Sequence, residues 1–164
     1  MKQFDPIVKT LSGNKFYIRP FGAFTSANLS GEIISLVVPV LSAAAPLIGN
    51  ATGNGADTSL LDIDSEVAAP ILANAAAGIS GDRLEALLKK LLIKHGNISV
   101  ELEGERDAQN LTEDLADEVF CGETQDMFIL AFEVIKVNYS GFFEKLAFPF
   151  GERVNALLQK PQPN

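Results

Sequence analysis

Cysteine and histidine occur once each in the 164 residues, as Cys121 and His95. A lone thiol has no partner for an internal disulfide, and a lone imidazole cannot build a multi-histidine zinc site. Positive charge is also scarce: 13 Lys and Arg face 21 Asp and Glu, for a formal charge of −8. Nucleic-acid binding draws on basic side chains that displace condensed counterions, so a nucleic-acid partner is not expected. The first residues, Met1-Lys2-Gln3-Phe4-Asp5-Pro6, lack the apolar core of a signal peptide, which together with the single cysteine predicts a cytoplasmic setting. The five Asn-x-Ser/Thr sequons, beginning at Asn28, Asn50, Asn97, Asn110 and Asn138, carry meaning only on a secretory route and are read as chance.

Catalytic patterns are missing as well. No phosphate loop, dinucleotide fingerprint, nucleophile elbow or zinc motif is present, and Gly53 and Gly55 lack the lysine and helix that a phosphate loop needs. Asp62-Ile63-Asp64-Ser65-Glu66 resembles the start of a calcium loop, but Val67 and Ala73 stand where glycine and glutamate are required. Cys121 lies among acids, which works against nucleophilic use, and is expected as a buried or half-buried structural residue. Glu113, Asp114, Asp117, Glu118, Glu123 and Asp126 are dense, yet helical spacing spreads them over solvated faces. No catalytic, cofactor or metal site is therefore assigned, and no enzyme activity is expected.

What is present is a folding pattern. Apolar residues make up 47% of the chain and charged ones 21%, a globular composition long enough for one core. Residues 1–15 read as a loosely held arm ending in the turn signal Ser12-Gly13-Asn14. Phe16-Tyr17-Ile18 reads as a short strand, and Ile98, Val100 and Leu102 alternate with polar residues as a second strand that pairs with it. Leu84, Leu87, Leu88, Leu91 and Leu92 form one stripe of a helix begun by Asp82 and Glu85 and stopped by Gly96. Leu111, Leu115 and Val119 line the next helix, which Gly122 ends. Thr124 caps a helix over residues 125–139 that is apolar nearly all round, and Ser140 caps a last stretch interrupted by Pro149 and Gly151. Asp64 or Ser65 caps a helix through about Ala77. The expectation is a mainly α, single-domain bundle of five to six helices with a small two-stranded β element around 16–19 and 97–103. The helical domain covers 16–150, contains a flexible link at 50–59, and is followed by a tail at 151–164.

No charge occurs between Glu32 and Asp57. The strongly apolar part of this stretch is about 16 residues, short of the roughly 20 that a bilayer requires, and it contains Pro39 and Pro46. A core helix kinked at Pro39, or a helix offered to a protein partner, fits better than a membrane span. If it is a partner surface, its contact residues are Leu36, Val37, Val40, Leu41, Leu47 and Ile48.

Several segments together carry a resemblance. Phe16 to Phe24, Leu84 to His95, Leu111-Thr112-Glu113-Asp114-Leu115, Phe120-Cys121-Gly122 and Asp126 to Ile135 are similar, in texture and order, to tail assembly chaperones of long-tailed bacteriophages. The likeness spans roughly residues 14 to 148. It implies a non-enzymatic factor that works in the bacterial cytoplasm without a cofactor. Such a factor binds the tape-measure protein, keeps it soluble, helps tail-tube subunits assemble around it, and is absent from the finished virion. The major tail tube protein is a further partner on this reading, and self-association is compatible with it. Two alternatives stand beside it: a small membrane-active phage protein using residues 33–48, and a structural tail component.

Overall fold

A computed structural model of the chain describes residues 5–35, 64–66, 70, 73 and 77–158, with side chains as far as residue 141. The first two elements are strands β1 (Ile7–Leu11) and β2 (Asn14–Ile18), joined into an antiparallel hairpin by Ser12 and Gly13. Both turn residues have positive φ, 44° and 83°, the left-handed backbone that lets a two-residue turn match the twist of its strands. Helix α1 follows over residues 23–35. After the intervening segment come α2 (Gly81–Leu92), β3 (Ile98–Glu101), the two-residue β4 (Gln109–Asn110), α3 (Glu113–Val119) and α4 (Thr124–Leu158).

The strands form one antiparallel sheet in the order β1-β2-β3-β4. The expected pairing of β2 with β3 is present, with Phe16 opposite Val100 and Ile18 opposite Ile98. These four side chains are fully buried on one face. Lys15, Tyr17, Ser99 and Glu101 alternate onto the other, the period-two consequence of the pleat. The described helices pack on the apolar face. Leu29 and Ile33 of α1, Leu87, Leu88, Leu91 and Leu92 of α2, and Leu130, Phe132, Val134 and Ile135 of α4 join the sheet in one core. Phe16 stacks on Phe120 beyond α3, with ring centroids 5.7 Å apart.

The molecule is thus an antiparallel sheet with helices on one face, and the expected mainly α bundle of five to six helices is overturned. Four helices with described bounds and four strands stand among the described residues, and residues 65, 66, 70 and 73 are helical as well. The expected two-stranded element is the centre of a larger sheet, because the residues read as a loose arm supply β1 and Gln109-Asn110 supplies a short far edge. The two expected C-terminal helices are a single one, continuous from Thr124 through Ser140 and Pro149 to Leu158. Tertiary bonds hold the chain just before Ser140. Asn138 Oδ1 accepts from the Phe21 amide at 2.7 Å, and the Tyr139 hydroxyl donates to the Ser26 carbonyl at 2.9 Å. These contacts override the local capping preference of Ser140. Elsewhere Asp64 behaves as a cap, accepting from the Glu66 amide at 2.9 Å, and Thr112 Oγ1 accepts from the Leu115 amide at 3.3 Å. The start of α2 differs from its expected capping box. Ser80 occupies the cap position and its side chain makes no capping bond.

Candidate functional site

Two surfaces could engage another molecule. The first is the outer face of α1. Its inner face is fixed by Leu29 and Ile33, four residues apart and both buried, so the positions between them point away from the core. Ala23, Phe24, Ala27, Asn28, Gly31, Ile34 and Ser35 are exposed. Phe24 is 93% exposed and Ile34 39%. The only charged residue of α1, Glu32, accepts from Lys90 Nζ of α2 at 2.5 Å. A ring so fully in water gains nothing from folding, since apolar stabilisation follows the area removed from solvent. The six contact residues expected from sequence, Leu36, Val37, Val40, Leu41, Leu47 and Ile48, follow directly in the chain and lie outside the described residues.

The second surface is an open groove of about 710 Å³ where α2, α3 and the first turns of α4 meet. Its floor is apolar, with Leu88, Leu92, Ala116 and Phe120 buried and Leu84, Ile93, Met127 and Phe128 half-buried. Glu85, Lys89, Glu113 and Asp117 stand at its rim. Lys89 forms ion pairs with Glu85 in its own helix, at 2.9 Å, and with Glu113 across the groove. Hydrogen bonding to Glu113 and then to Glu85 pushes the Lys89 ammonium above its ordinary range, and the same lysine holds the Glu85 carboxyl below its own.

The remaining candidates fall away from any reaction centre. Cys121 is exposed at the groove rim rather than buried, because Phe120 before it takes the inward position and Gly122 after it turns the chain with φ 81°. His95 is exposed just beyond α2, with its ring edge against Phe21 and centroids 5.5 Å apart. Glu113, Asp114, Asp117, Glu118 and Glu123 are exposed as expected, while Asp126 accepts from the Ser12 hydroxyl at 2.5 Å. Among the described residues no three His, Cys, Asp or Glu side chains are grouped to hold a metal ion. Among the described residues the arrangement offers surfaces for binding.

The family model for "Phage tail assembly chaperone protein, TAC" matches residues 12–151. The chain belongs to the phage tail assembly chaperone family. No curated protein and no solved structure matches it.

For a chaperone of this family the partners are proteins of the tail, and the family is not a class of enzymes. The matched region takes in the whole of β2, α2, β3, β4 and α3, and so contains the groove and the outer face of α1. No helix among the described residues of the chaperone is long and apolar enough to cross a membrane. Sequence reasoning missed both surfaces. Phe24 lies before the uncharged stretch and figured only in the family resemblance, while the groove joins residues some 40 positions apart. A usable signal for the groove was α4, apolar nearly all round and therefore in need of neighbours on more than one side.

Proposed function

We propose that this chaperone binds the tape-measure protein, keeps it soluble, and promotes assembly of the tail tube around it in the cytoplasm of the bacterial host. The observation that supports the reading best is the uncharged outer face of α1, where Phe24 is 93% exposed. Large apolar side chains held in water are characteristic of surfaces that meet a partner. On this reading the client also contacts Leu36, Val37, Val40, Leu41, Leu47 and Ile48, which follow α1 in the uncharged part of the sequence, while the acids of α3 keep the complex in solution. The major tail tube protein is the second partner on this reading, arriving as the chaperone leaves.

Co-expression tests it. The tape-measure protein encoded by the same phage should move from the pellet to the supernatant when the chaperone is present, and should co-elute with it on gel filtration. Phe24→Asp should abolish this rescue with the circular dichroism spectrum unchanged, because the ring contributes almost nothing to the core. A client equally soluble alone, or equally rescued by Phe24→Asp, would overturn the proposal. Mass spectrometry of purified virions should find no chaperone, and its retention there would point instead to a structural tail component.

A further inference from the structure

The groove between α2, α3 and α4 has features that the proposed client surface on α1 does not use. Its accessible apolar groups, Leu84, Met127 and Phe128, come from two helices and lie above a buried floor. Its charge is one-sided. At the rim three acids face a single base, Lys89, which is already engaged by two of them. Helix α3 presents Glu113, Asp114, Asp117 and Glu118 and no basic residue. Among the described residues Asp117 has no ion-pair partner.

We infer that this groove receives one amphipathic α-helix of a tail protein, its apolar stripe laid on Leu84, Met127 and Phe128 and its Lys or Arg flank set against Asp117 and the other acids of α3. The walls decide between a helix and an extended segment. An extended peptide needs partners for its backbone amides and carbonyls, normally the edge of a sheet. Here the walls are helices, whose own backbone groups are bonded internally. A helix arrives with its backbone satisfied and needs only apolar contact and complementary charge, and the unbranched Met127 can adapt to the side chains it meets. The sign of the flank follows from the rim: an acidic helix would meet uncompensated like charge, whereas a basic one supplies the counter-charge that Asp117 lacks.

Only the assignment of the helix to a tail protein rests on the proposed function; the chemistry of the occupant rests on the groove. The test therefore uses the full chain with a synthetic leucine-striped helical peptide of about 18 residues, long enough for some five turns, flanked by lysine. A second peptide has the same stripe flanked by glutamate. Cys121 is the chain's single thiol and lies on the rim, so its rate of alkylation by a maleimide reports occupancy directly. The lysine peptide should bind, slow alkylation of Cys121, and lose affinity as salt is raised. The glutamate peptide should bind at least about tenfold more weakly, and Asp117→Lys, an exposed position, should weaken the lysine peptide by about tenfold. Equal binding of the two peptides, binding that leaves Cys121 fully reactive, or an affinity unchanged by Asp117→Lys would overturn the inference. So would a dimer of the free chain that Asp117→Lys dissociates, since the occupant would then be a second copy. A client rescued by a chaperone that binds neither peptide removes the groove assignment alone. Peptide binding by a chaperone that rescues no client removes the proposed function alone.

Discussion

Glu101, on the polar face of the sheet, collects two donors, Lys15 Nζ and the Tyr17 hydroxyl, each at 2.7 Å. Hydrogen bonds from Lys15 and then Tyr17 hold its carboxyl below the ordinary glutamate value of 4.5, and the bond to Glu101 raises the Tyr17 phenol above the ordinary 10.0. The two shifts act at opposite ends of the pH scale. The stabilisation tied to Glu101 is present above pH 4.5 and lost as pH falls through its lowered folded value. That tied to the protonated phenol is present below pH 10.0 and lost as pH rises through its raised one. Urea midpoints followed against pH should therefore fall at both ends, and Glu101→Gln should flatten the two limbs; unchanged limbs would disprove the link. Asn97 presents a different case. It is 5% exposed, and its side-chain nitrogen and oxygen have no hydrogen-bond partner among the described residues. A buried amide without partners costs about 1–3 kcal/mol, so Asn97→Leu is expected to raise the unfolding free energy by about 1 kcal/mol, read from denaturant melts.

Among the elements, the hairpin has a specific point of failure. At Gly13, φ is 83° and an added Cβ would lie 2.7 Å from the Glu103 carboxylate. Gly13→Ala should cost at least about 1 kcal/mol, measured by thermal melting, with most of the cost from the backbone because the Glu103 side chain can swing away. The same hairpin marks where sequence patterning stops being informative. β2 and β3 were legible because Phe16 and Ile18 in one, and Ile98 and Val100 in the other, alternate with polar or half-buried neighbours. β1 was not: its inward positions hold Ile7, Lys9 and Leu11, and Lys9 bonds to Ser65 at 3.1 Å while Ile7 stays 48% exposed. An edge strand with an inward lysine breaks the alternation that identifies a strand, although such a charge is a normal guard against edge pairing. β4 is too short to leave a pattern. Helix α2 was legible down to its leucines because one stripe faces the core and the opposite face is charged. The fusion of the last two helices was not, since the bonds from Phe21 and to Ser26 that secure α4 come from more than 100 residues away.

For the whole molecule, the described sheet and helices meet in a largely aliphatic core that contains one aromatic stack. Phe16 is completely buried and stacks on Phe120, so Phe16→Ala should destabilise by about 3–5 kcal/mol. Against a domain stability of about 5–15 kcal/mol, that loss should appear as a large drop in the chemical denaturation midpoint. The interaction surfaces were less legible than the core for a physical reason. Core positions announce themselves through periodicity, whereas Phe24 and the groove are defined by what fails to cover them, a property of assembled neighbours rather than of any segment. The uncharged stretch after Glu32 follows the exposed face of α1 in the chain and lies, beyond Ser35, outside the described residues.

The two central strands are also far apart in the chain, with Ile18 paired to Ile98. A ribosome must deliver about 80 further residues before β2 can find its inner neighbour, so the N-terminal hairpin and α1 emerge well before their sheet is complete. Contacts of such long range slow folding, yet doubling the length of a flexible closing loop adds only about 0.6 kcal/mol. The timing of chaperone maturation is therefore set by the synthesis of β3.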